Sequence, residues 1–93
     1  MALIHANITV GTTPTKIVQL PTGGARGIAV QIQNLDTVAV FIGDATITAT
    51  GATRGHSIAV NATQQLWLNG GDSVYAISAA GTSAGAVVVT YSI

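Results

Sequence analysis

The sequence predicts an all-β fold: one domain over residues 1–93, built as a single antiparallel β-sandwich of jelly-roll-like kind with about eight strands. Three observations carry that reading. Short segments alternating apolar with polar residues recur about every ten positions, and clusters of Gly, Pro, Asn and Asp separate them. No stretch of roughly ten residues is free of Gly and β-branched runs, as a helix would need.

The elements follow in order. Ile4, Ala6, Ile8 and Val10 alternate with Leu3, His5, Asn7 and Thr9, a strand that begins almost at the terminus. Gly11-Thr12-Thr13-Pro14 turns it, and Thr15 to Leu20 forms a second strand that Pro21 stops. Thr22 to Arg26 is a loop. Gly27 to Gly43 reads as a β-hairpin with one face buried, around which the rest is organised: Ile28, Val30 and Ile32 on its first strand and Val38, Val40 and Ile42 on its second make that face. A loop of Asn34, Leu35 and Asp36 would pair Ile32 with Val38, Val30 with Val40 and Ile28 with Ile42, keeping core residues opposite core residues. Ala45 to Thr50 suits a short edge strand, and Gly51 to Gly55 a loop. Ser57 to Val60 and Thr63 to Leu68 are strands around an Asn61-Ala62 turn. Asn69-Gly70-Gly71-Asp72 is the strongest turn signal. Ser73 to Ala79 and Ala86 to Ile93 close the fold, with Ala80 to Gly85 as a loop.

Composition narrows the function classes. Only Lys16, Arg26, Arg54, Asp36, Asp44 and Asp72 are charged, 6% of the chain, and the net charge is zero; an average globular protein has about 25%. Three basic residues cannot neutralise several phosphates, which argues against nucleic acid as a partner. No apolar run approaches the ~20 residues of a transmembrane helix, so no membrane partner is expected either. The start, MALIHANITV, has neither a basic leader nor a cleavage site, and cytoplasmic synthesis is the expectation.

A chain this size buries only about 60–65% of its extended surface on folding. It has no cysteine to staple the fold. A polar surface of Thr, Ser, Asn and Gln can hydrogen-bond across a contact without desolvating an ion. These features together predict a protein that lives in contact with other copies or other proteins.

Catalytic chemistry finds little to use. Glu is absent, and His5 and His56 have no ligand spacing, so no metal or other cofactor is expected, and no enzyme. The glycine-containing stretches at 11–16 and 22–27 lack the Gly-Lys-Ser/Thr ending of a phosphate loop. Trp67 is the most informative side chain. With Leu66 and Leu68 toward the core, it shares the outer face with Gln65, which suits a subunit contact or a sugar platform. The candidate interface is Leu3, Ile4, His5, Gln65 and Trp67. The apolar segment Met1 to Ile4 is expected to pair with the edge of a neighbouring sheet. A carbohydrate-binding or host-attachment module using Trp67, Tyr75, Gln64 and Gln65 is the alternative.

The succession NITVGTTPTKIV, GIAVQIQNLDTVAVFIG and GGDSVYAISAAGTSAGAVVV resembles the small all-β virion proteins of tailed bacteriophages, in particular capsid decoration (cement) proteins. The resemblance covers most of the chain and rests on the strand-turn order and on the IQN…V.VFIG and VYAIS segments. It implies a β-sandwich that assembles, often as a homotrimer, on the outside of a phage head and bridges major capsid proteins. It also implies a place on the virion surface after synthesis in the host cytoplasm, and it carries over no catalytic residue. Similar folds serve in head-to-tail connectors and tails.

Two expectations follow from the sequence alone. Light scattering at micromolar concentration should find an oligomer, most simply a trimer, whose mass hardly changes between low and molar NaCl because few ion pairs are available to screen; a stable monomer contradicts this. Val40→Asp should abolish cooperative unfolding by burying an unpaired charge, which a thermal melt reads directly.

Overall fold

The computed structural model describes residues 3–22, 27–48, 54–79, 81 and 83–92. These contain eight strands: β1 (Leu3–Val10), β2 (Thr15–Gln19), β3 (Ile28–Asn34), β4 (Val40–Gly43), β5 (His56–Ile58), β6 (Thr63–Leu68), β7 (Ser73–Ser78) and β8 (Ser83–Ser92). None of the described residues is helical. The strands form two antiparallel sheets of four, a first sheet ordered β1-β8-β3-β6 and a second ordered β2-β7-β4-β5.

That order has a simple generator. β1 pairs with β8, β2 with β7, β3 with β6 and β4 with β5, as in one long antiparallel ribbon folded at its midpoint. Rolling the ribbon up then brings β8 against β3 and β7 against β4. The product is a jelly roll, in which closure around a shared core leaves only two edges per sheet. Only the β4–β5 connection joins neighbours within a sheet, and every other connection crosses the sandwich.

This topology corrects the reading of Gly27 to Gly43. β3 and β4 occupy the expected residues but belong to opposite sheets. Val30 lies beside Leu66 and Tyr91, and Val40 beside Ile58 and Ser78, so the pairings Ile32 with Val38, Val30 with Val40 and Ile28 with Ile42 do not form. The apolar rows of the two strands share the core equally well by facing each other across it. In a hairpin each strand would use one hydrogen-bonding edge, whereas in the roll β3 and β4 are interior strands with both edges paired.

The same rule moves the strands around Asn61-Ala62. The turn itself forms: Asn61 has φ 63° and the Ala62 amide donates to the Ala59 carbonyl at 3.0 Å. Its flanking strands separate, β5 to β4 and β6 to β3, and β5 ends at Ile58. The short edge strand at Ala45 to Thr50 is also absent over its described part. There Asp44 folds a turn by accepting the Thr46 amide at 2.9 Å and hydroxyl at 2.6 Å, and only Thr48 makes a single bridge, to Arg54. Ala49 and Thr50 lie outside the described residues. The last strand starts earlier than expected, at Ser83, which pairs with Val10 across a register shift.

Alternation places the core as predicted. Val10, Leu20, Val30, Ile32, Val40, Val87 and Val89 are fully buried between the sheets, with Ile8, Ile28, Leu66, Leu68 and Tyr91 packed against them. A second, smaller cluster of Phe41, Ile47 and Ile77 covers the outside of the second sheet. Gly43 permits it, because a Cβ there would collide with an Ile47 methyl.

The buried polar side chains, Asn34, Asp36 and Ser78, meet where the chain leaves the first sheet for the second. The Asn34 amide nitrogen donates to the carbonyls of Val38 (3.0 Å) and Ile58 (2.9 Å), and its oxygen accepts the Asp36 amide at 2.8 Å. The Asp36 carboxylate accepts the Thr37 amide at 2.7 Å and the Ser78 hydroxyl at 3.1 Å. Asn34 and Asp36 read as turn formers in the sequence, but they are interior. Asn34→Ala leaves the buried Ile58 carbonyl and the half-buried Val38 carbonyl without their donor and is expected to cost roughly 2–4 kcal/mol in a urea titration; a change below ~0.5 kcal/mol would show that water takes over both bonds.

Candidate functional site

The outer face of the first sheet is built by register. His5, Thr90, Gln31 and Gln65 form a row across all four strands, and Asn7, Val88, Gln33 and Thr63 form the next. On the other side of the central row, Leu3 pairs with Ser92 and Ala29 with Trp67. All of these residues are exposed or half-buried, with Leu3 at 72% and Trp67 at 68% exposure. None of them is Asp, Glu, Lys or Arg, and His5 is the one titratable group in the rows.

The fold therefore brings Leu3, His5, Gln65 and Trp67 together on two adjacent rows, although about 60 residues separate them in sequence. Leu3 and Trp67 stand on the two outermost strands, three strand spacings or about 14 Å apart. Ile4 turns the other way, half-buried beside Tyr91. Leu3 and Ile4 pair on one side with Ser92 and Tyr91 of their own sheet, while the other side of β1 is a sheet edge that carries no strand among the described residues; Met1 and Ala2 lie outside them. The start of the chain pairs with β8 from Val87 to Ser92, and Val10 meets it again at Ser83. Alternation could have flagged Gln31, Gln33 and Thr90 as members of this face, but only the strand order shows that they lie between His5 and Gln65.

The four residues of a sugar platform do not converge. Tyr75 lies on β7 in the second sheet, where it packs near Phe41 and Ile77 and the Lys16 ammonium sits 5.8 Å from its ring centre. Gln64 faces away from Trp67 along β6, and its side-chain oxygen accepts a 3.0 Å hydrogen bond from His56 Nε2 in the corresponding tautomer. That bond ties β5 to β6 and so links the two sheets at one margin of the sandwich.

Beside it lies an open cleft of about 270 Å³ lined by Ile42, Leu66, Val74, Gly43, Asp44, His56 and Ser73. Its walls are mostly apolar, with Asp44, His56 and Ser73 as the polar members. Gly55 lets the chain pass close to β4, since a Cβ there would stand 2.5 Å from the Ile42 carbonyl oxygen. The Thr46 hydroxyl, and after it the Thr46 amide, hold the Asp44 carboxyl below its ordinary range, so it is anionic at neutral pH. No nucleophile–base pair is assembled at this rim, where the His56 partner is an amide. Among the described residues no three or more of His, Cys, Asp and Glu gather as a metal would require.

No protein-family model, characterised protein or solved structure matches the chain.

A carboxyl whose folded pKa is depressed contributes stability above its unfolded pKa and loses that contribution as pH falls through the folded value. In an NMR titration Asp44 should therefore have a midpoint below that of a free Asp side chain, with the Thr46 amide following it. Thr46→Val, which removes the larger of the two causes, should raise that midpoint; an unchanged midpoint would assign the shift elsewhere.

Proposed function

We propose that this chain is a structural virion protein of a tailed bacteriophage, a capsid decoration protein that self-associates on the phage head and bridges major capsid proteins. The observation that carries the reading is the outer face of the β1-β8-β3-β6 sheet. It is uncharged across its rows and bracketed by the exposed Leu3 and Trp67. The other sheet is covered on its outside by Ile47 and its neighbours, so the bare face is one-sided, as a protein with a fixed contact surface needs. Neutral amides and hydroxyls can be buried there at low desolvation cost.

Two further points support it. The strand order is that of the jelly roll, an architecture that capsid domains use alongside lectins and cupins, which is analogy at the level of fold. The succession of strand and turn segments resembles decoration proteins.

The test uses particles purified from the source that encodes the chain. Mass spectrometry is expected to find the chain in near-stoichiometric ratio to the major capsid protein, and a cryo-EM map to place the sandwich on the outer shell. Density in the connector or tail would move the protein elsewhere in the virion, and particles without the chain would overturn the reading.

A further inference from the structure

We propose that copies of this chain join edge to edge through their first sheets, with β6 of one copy pairing antiparallel to β1 of the next. This rests on the self-association proposed above and names its joint: the partner is a second copy of the chain. The four sheet edges are unequal. In the second sheet, β2 carries Lys16, lies between Pro14 and Pro21 and has a register shift between Lys16 and Val18, and β5 is three residues long. Such features blunt an edge against pairing. In the first sheet, β1 has eight residues and β6 has six, with neither a charge nor a proline. Each has no strand on its outer side among the described residues.

Direction permits the joint. β1, β8, β3 and β6 alternate in direction, so β6 runs opposite to β1, and a second sheet placed in line continues the antiparallel alternation. Register favours it. Extending the existing rows into the next copy sets Trp67 opposite Leu3, Gln65 opposite His5 and Thr63 opposite Asn7 on the outer face. On the inner face the same register sets Leu66 opposite Ile4 and Gln64 opposite Ala6. The larger apolar residues meet one another, the outer polar residues meet polar ones, and no charge enters the joint. The β1 irregularity, between Ile8 and Val10, lies beyond the paired segment.

The contact uses two different surfaces, so it is heterologous and generates a ring if the rotation closes and a filament if it does not. A homotrimer would be a twelve-stranded belt with three identical joints and no open edge in its first sheets.

The absence of cysteine makes a direct test available. Opposite residues in antiparallel strands have Cα atoms roughly 4.5–5.5 Å apart, within reach of a disulfide. His5→Cys and Gln65→Cys, mixed and mildly oxidised, are expected to form a hetero-disulfide at least about tenfold more abundant than Asn7→Cys mixed with Gln65→Cys, which is out of register. Equal yields, or homodisulfides of either variant forming as readily, would overturn the joint. Trp67→Lys places a charge beside Leu3 of the next copy; by light scattering the mass should fall to that of a monomer with the strand circular-dichroism signal retained, and an unchanged oligomer would overturn the joint as well. A chain found on particles without the cross-link sinks only this pairing, whereas a cross-linked ring of a chain missing from particles sinks only the virion reading.

Discussion

The side-chain amide of Asn34 is the constraint on which the roll depends. It stands at the end of β3, where the chain must leave one sheet and start the other, and crossing between layers strands backbone groups in a dry interior. One amide answers three of them by donating to the carbonyls of Val38 and Ile58 and accepting the amide of Asp36. Asp36 then reaches Ser78 on β7, the strand that pairs with β4, so the crossing is held to both of the strands that flank β4. Backbone bonds from Asn34 to Asn61 and Ala62, and from Leu35 to Ala86, fix the same corner to the chain on either side of it. An apolar residue at 34 could fill the space but could not supply two donors and an acceptor.

With that corner in place, the rest of the sandwich follows from how its surfaces are finished. The second sheet is capped outside by Phe41, Ile47 and Ile77, its β2 edge carries a lysine between two prolines, and its β5 edge is short. The first sheet is left with a bare neutral face and two unblunted edges. Described charges that are not buried sit on β2, in turns or beside the cleft, away from that face. Such a division of labour between sheets gives the proposed assembly a direction, since one side of each copy is finished and the other is ready to receive a partner.

The candidate surface was half legible in the chain. Alternation alone sets Trp67 with Gln65 and Leu3 with His5, because residues two apart on a strand share a face. It also sends Ile4 and Gln64 to the opposite side, a consequence that the apolar character of the first residues and the chemistry of a glutamine both obscured. That the two pairs belong to one surface depends on β8 and β3 lying between them, and nothing local in either segment encodes that.

The sequence by itself determined most of the strands and their inward residues and the turns at Asn61 and Asn69, because these depend on side-chain period and backbone preference within a few residues, though not the turn at Asp44 or the early start of β8. It also determined that the chain would be nearly free of charge and without a staple. Only the tertiary structure decided which strands are neighbours. Val30 and Val40 are apolar in the same rhythm whether they lie side by side in a hairpin or face to face across a core, and the two arrangements bury them equally well. What separates them is the hydrogen bonding of whole strands along both edges, together with three buried polar groups that must all be satisfied at one corner, and those are properties of the assembled sandwich.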